Sequence, residues 1–183
     1  KNITLPVSTT GYYLVNQRCC YSYGITNTNS LNTKNMDLTS FIPASPTTNN
    51  SAIFNKDLGK VFCINQTEQY DVSATDSDGD SLSYSFCDIN TFTGGSNPKP
   101  KWQVLPPNNP IQFNWPYTMN APLQSGTFSL DSTTGILTVR PTIQGSYYLG
   151  ICCTEWRNGV AIAQNKRPVV FRIIDCYKKT KAQ

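Results

Sequence analysis

Three aspartates alternate around a glycine in Asp76-Ser77-Asp78-Gly79-Asp80. Closely spaced carboxylates in a tight turn supply hard oxygens, and calcium takes six to eight of them at roughly 2.3–2.6 Å. Glu155 is the expected fourth acidic ligand if the strand that carries it ends beside this corner. The helix-flanked calcium loop does not apply, because no Glu stands at the later position that it needs. Asp-Gly and Ser-Asp also build turns without any metal, which is the plainer reading of the same residues.

The chain has seven cysteines and no histidine. Cys19-Cys20 and Cys152-Cys153 are adjacent pairs, so no zinc-ligand spacing is present. Disulfides formed in an oxidising compartment are the expected use of Cys19, Cys20, Cys63, Cys87, Cys152 and Cys176. An odd total leaves one thiol that is either free and buried or paired outside this chain. Without a histidine there is no Cys-His or Ser-His base, and the 11 acidic residues partly cluster at one corner. The chain therefore reads as non-enzymatic. Trp102, Phe113, Trp115 and Tyr117 fall together in one loop-like stretch. They form either a flat platform for stacking sugars or a lid folded back on the core.

These residues need elements to position them, and the composition points to strands. Only 14% of the 183 residues are charged, no helical apolar stripe is sustained, and apolar runs are strand-sized. No run of about 18 apolar residues predicts a membrane span. The net charge of +4 includes Lys166, Arg167, Arg172, Lys178, Lys179 and Lys181. Lacking an interleaved aromatic platform, this cluster reads as a solvated edge and tail, with no nucleic-acid partner.

The strand spacing predicts an all-β fold of immunoglobulin-like sandwich modules stabilised by disulfides. Residues 1–48 read as a partial module, the trailing strands of an upstream domain. A Pro, Ser, Thr and Asn-rich linker at 43–52 leads into a sandwich at 49–178, and 179–183 is a tail. Strands are expected at 60–64, 69–74, 82–87, 127–130, 136–139, 147–154 and 169–174, with a long insertion at 88–125. In that topology Cys63 pairs with Cys152 or Cys153 at one pole, and Cys87 pairs with Cys176 at the other. Trp156 beside Arg157 suggests a cation–π contact at the last corner.

Three stretches resemble bacterial cadherin-like and PKD-like modules: Ser73-Ala74-Thr75-Asp76-Ser77-Asp78-Gly79-Asp80, Phe128-Ser129-Leu130-Asp131 with Thr134-Gly135-Ile136-Leu137, and Gly145-Ser146-Tyr147-Tyr148-Leu149-Gly150-Ile151-Cys152. The cysteine-bearing words Gln17-Arg18-Cys19-Cys20, Phe62-Cys63-Ile64-Asn65, Phe86-Cys87, Glu155-Trp156-Arg157-Asn158-Gly159 and Asp175-Cys176 add a closer likeness. In this order they resemble the ectodomain repeat units of large Bacteroidetes cell-surface proteins, the gliding-motility-associated cargoes of type 9 secretion. Cys153 departs from the pattern, since such units carry one cysteine at that place, and the sorting domain of those cargoes is absent from this sequence. The resemblance implies a secreted adhesion or surface-architecture module whose partners are neighbouring modules of the same polypeptide or surface assembly, and surface glycans. With no signal peptide in this sequence, the export signal is expected to lie elsewhere or to have been removed. The words Asp80-Ser81-Leu82 and Asp131-Ser132-Thr133 resemble O-glycosylation sites of such proteins, making Ser81 and Ser132 candidate acceptors. Asn2, Asn49 and Asn65 stand in Asn-x-Ser/Thr sequons. A carbohydrate-binding module using the aromatic 102–117 stretch is the alternative function.

Overall fold

A computed structural model of the chain describes residues 5–18, 24–28, 35–42, 44, 48–56, 59–92 and 109–176. The readings that fall on Asn2, Cys19, Cys20, Trp102 and the lysines beyond 176 lie outside the described residues. The described chain is all-β. Its strands are β1 (Tyr12–Arg18), β2 (Asn35–Ile42), β3 (Ile53–Phe54), β4 (Gly59–Cys63), β5 (Glu68–Asp71), β6 (Ala74–Thr75) and β7 (Ser81–Phe86). They continue with β8 (Asn90–Phe92), β9 (Asn109–Pro110), β10 (Ser125–Leu130), β11 (Ile136–Pro141), β12 (Gly145–Arg157) and β13 (Val160–Ile174). Among the described residues no helix is long and apolar enough to cross a membrane.

Two sheets face each other across one core. One runs β7-β12-β13, with β4 on β13 in parallel, and the other runs β10-β11-β5. The chain crosses between the two sheets, from β5 to β7 and from β11 to β12, which makes a β-sandwich. Period-2 alternation aims Tyr147, Leu149 and Ile151 of β12 and Val169, Phe171 and Ile173 of β13 inward, onto Leu137 and Val139 of β11. Phe62, Tyr70 and Phe171 pack edge-on, with ring centroids 4.9–6.2 Å apart. Fully burying each such ring contributes roughly 1.5–3 kcal/mol.

The β12–β13 hairpin outruns the expected 147–154 and 169–174 strands. Its turn is Asn158-Gly159, both at positive φ (53° and 77°), the backbone that a two-residue hairpin matching strand twist demands. The strand expected over 69–74 is broken. Asp71 Oδ1 accepts from Ser73 N–H at 2.9 Å, and the chain then re-enters as β6 to pair with β3.

Within segment 1–48, strands β1 and β2 are hydrogen-bonded into the same sheet as the module that follows them. β1 and β2 form a hairpin in register from Tyr12↔Ile42 to Arg18↔Met36, and β2 pairs in turn with β8 and with β13 at Gln164. Residues 24–28 lie along β12. Ile25 bridges Ser146, and Thr26 N–H donates to Ser146 O at 2.7 Å. Buried Asn27 imitates a strand with its side chain, since its Oδ1 accepts from Tyr148 N–H and its Nδ2 donates to Tyr148 O and Pro122 O. Ile25, Ile89, Ile111 and Tyr148 make a second, smaller core on this outer face.

The expected disulfide pairing is corrected. Cys63 bonds Cys176 and Cys87 bonds Cys152. Cys63 does not begin an antiparallel strand; it ends β4, which runs parallel to β13 with Cys63 level with Ile174. The ends of both strands therefore share a pole. Cys87 follows β7, whose Phe86 faces Ile151, and its N–H donates to Gly150 O, so Cys152 is its diagonal neighbour. Cys153 points to the opposite face of β12, where it is free and buried against Ala52 and Tyr84.

Candidate metal centre

The inward row of β12 reads Tyr147, Leu149, Ile151, Cys153, Glu155, so the strand register drives a carboxylate into the core position at the mouth of the sandwich. Glu155 is fully buried. A buried charge is tolerated only when it is hydrogen-bonded. Its Oε1 accepts from Ala52 N–H at 2.7 Å and Asn165 Nδ2 at 3.1 Å, and its Oε2 accepts from Asn49 Nδ2 at 2.7 Å. A carboxylate offers about four acceptor directions, so roughly one remains.

The 76–80 turn brings its own acids to the same mouth. Asp76 Oδ1 accepts from Asp78 N–H at 2.9 Å and Asp80 N–H at 3.0 Å, which closes the loop on itself. Gly79, at φ 81°, allows the reversal that returns Asp80 towards Asp76. Carboxylate oxygens of Asp76, Asp80 and Glu155 lie within 4.8 Å of one another. Asp76 Oδ2 is buried and has no hydrogen-bond partner among the described residues.

Asp78 is not part of this group. Its Oδ2 accepts from Asn50 N–H at 2.6 Å and its Oδ1 from Asn50 Nδ2 at 2.8 Å. Those two bonds, the backbone one first, hold its carboxyl below the usual range, helped by Arg157. Arg157 itself forks onto Asp80, with Nε to Oδ1 and Nη2 to Oδ2 both at 2.7 Å, and Asp80 is only 3% exposed. The guanidinium also donates to Thr48 O at 3.1 Å and Asn49 Oδ1 at 2.9 Å. The expected stack of Arg157 on Trp156 gives way to these bonds, and the Trp156 indole N–H donates to Ser83 Oγ at 2.8 Å.

Sequence reasoning passed over three of these partners. Asn49 and Asn50 fell in the expected linker and Asn165 was not singled out, and only the packing of residues 48–52 across the corner brings them to their acceptors. Asn49 also belongs to a sequon, but its amide is engaged by Glu155. Cys153, next to Glu155, is pushed up to about 12 by burial first and then by the Glu155 charge, so its thiol stays protonated at neutral pH.

The other sequence-derived candidates are dispersed. Trp115 is 93% exposed, against the expectation that a structural module would bury it, because it sits in a turn that projects from the sandwich. Tyr117 is half-buried, its ring 5.9 Å from that of Tyr147. Ser81 and Ser132 are both exposed, at the start of β7 and in the β10–β11 turn, and Asn65 is exposed at φ 59°.

No family model matches this sequence, and no curated protein does. The chemistry of the corner therefore stands on its own geometry. Its donors are all oxygens, with no imidazole or thiolate among them, which suits a hard cation such as calcium or magnesium better than zinc or copper.

Proposed function

We propose that the chain is a non-enzymatic structural and adhesive module of a larger extracellular bacterial surface protein, stiffened by disulfides and by calcium at the Asp76, Asp80 and Glu155 corner. The observation that carries the cation reading is Asp76 Oδ2, a buried carboxylate oxygen left without a partner beside two further carboxylates. Four acids meet one guanidinium there, so negative charge is in excess. Asp76, Asp80 and Glu155 would hold the ion, and Asn49 Oδ1 and nearby carbonyls are within the same corner. The ion's contribution is cross-linking, since it would tie the 76–80 turn to β12. Calcium is favoured over magnesium because the corner offers scattered oxygens and no rigid octahedron. The disulfides support an oxidising, non-cytoplasmic setting, and the resemblance to Bacteroidetes surface repeats supplies the adhesive role.

Thermal unfolding with millimolar calcium and with chelator tests this. At about ten times Kd the expected rise in Tm is roughly 3–6 °C. Asp76→Asn keeps the loop-closing acceptor and should abolish the rise, as should Glu155→Gln. An unchanged Tm in the wild-type protein would sink the calcium reading.

A second reading, a carbohydrate-binding surface, is favoured by the exposure of Trp115. A flat, solvated indole is a ready face for a sugar ring.

A further inference from the structure

Arg157 already stands where a cation would compete. It is the last residue of β12, placed at the mouth by the tight Asn158-Gly159 turn, and its fork takes one bond at each oxygen of Asp80. A bidentate guanidinium–carboxylate pair is among the strong charge-assisted contacts. A divalent ion drawn to Asp80 therefore meets both a positive charge beside it and oxygens already engaged. The same guanidinium holds the entry segment through Thr48 O and Asn49 Oδ1. Asn49 is the shared element, because its Nδ2 is also a donor to Glu155 Oε2 at 2.7 Å. Whatever draws Arg157 off Asp80 alters the grip on residues 48–49.

We infer that Arg157 is a built-in competitor for the cation site, and that exchange of guanidinium for a divalent cation at Asp80 switches how tightly residues 48–49 are latched to the module. This rests on the cation reading of the corner and adds its regulation. Because coupling is reciprocal, a pull on the entry segment that strengthens the Arg157 contacts weakens cation binding, and cation binding loosens the latch. The hold on residues 48–49 then responds to divalent cation concentration.

Calorimetric titration of the full chain with calcium chloride, wild type against Arg157→Gln, is the test. Loss of one part-buried charge-assisted fork is expected to tighten calcium binding about tenfold, with Arg157→Lys between the two. Tighter binding by Arg157→Gln supports the competition. Equal or weaker binding overturns it and leaves the cation site standing, with Arg157 as a positioning residue. Binding by neither protein overturns the cation site itself. A readout in the unmutated chain guards against a variant that fails to fold: the Arg157 Nε–H resonance should shift as calcium saturates. A resonance that stays fixed at saturation overturns the exchange.

Discussion

Asn27 and Asp71 each hold backbone that the strands leave open. Asn27 is fully buried, and its amide bonds both the N–H and the C=O of Tyr148. Truncation removes a hydrogen bond from each of two buried backbone groups, at about 1–3 kcal/mol apiece. Asn27→Ala is expected to cost about 2–4 kcal/mol, read from the urea midpoint at constant m-value. Asp71 accepts from Ser73 and pairs with Lys56 at 3.1 Å, and these bonds, those from Ser73 first, bring its pKa down to about 2. The unfolded chain titrates this group near about 4. Its stabilisation is therefore complete above about pH 4 and drains away as the pH falls towards 2. Asp78 and Asp131 are depressed as well, by backbone N–H bonds first, and act in the same direction. Denaturation midpoints measured from pH 6 to 2 should fall most steeply below 4, and Asp71→Asn should flatten that slope.

At the scale of elements, the strand ends decide which cysteines meet. β4 and β13 run parallel and finish together, so Cys63–Cys176 seals two ends across a sequence separation of 113. Cys87–Cys152 ties the end of β7 to the middle of β12, with Cys152 fully buried. Cys63 and Cys176 are only partly buried, so a soluble thiol reaches that bond more readily. Under native conditions with reductant, timed alkylation and mass analysis should show Cys63 and Cys176 labelled before Cys87 and Cys152. Removing the Cys63–Cys176 bond by double serine substitution is expected to cost about 2–5 kcal/mol. Simultaneous release of both pairs would contradict the arrangement of the strand ends.

Across the whole molecule, stiffness and recognition lie in different places. The core, the disulfides and the acidic corner concern how the module is held and how its entry segment leaves. Trp115 projects from another part of the fold and contributes little to the core, being 93% exposed. Trp115→Ala should change stability by less than about 0.5 kcal/mol, as for other surface substitutions. On a glycan array the carbohydrate reading expects binding by the wild-type protein that Trp115→Ala loses. Binding that survives the substitution, or none in the wild type, would remove Trp115 as a sugar platform.

Composition, alternation and turn words were sufficient for the all-β class and for most strands of the 60–174 region, because period-2 patterning is a local property that each strand writes in its own residues. The acids of the corner were legible too, in the Asp76 to Asp80 spacing and in Glu155 at the expected end of its strand. Other features were decided only by tertiary structure, since they depend on which chain segments lie side by side. Parallel pairing of β4 with β13 reassigned the disulfides, and the sequence-distant packing of 24–28 made a surrogate strand of Asn27, a residue with no signal in the sequence. Residues 48–52, read as a linker, became the donors for Glu155 and Asp78. Asp78 left the acidic group because Asn50 stands within 2.6–2.8 Å of it, a neighbour that no spacing within residues 76–80 specifies.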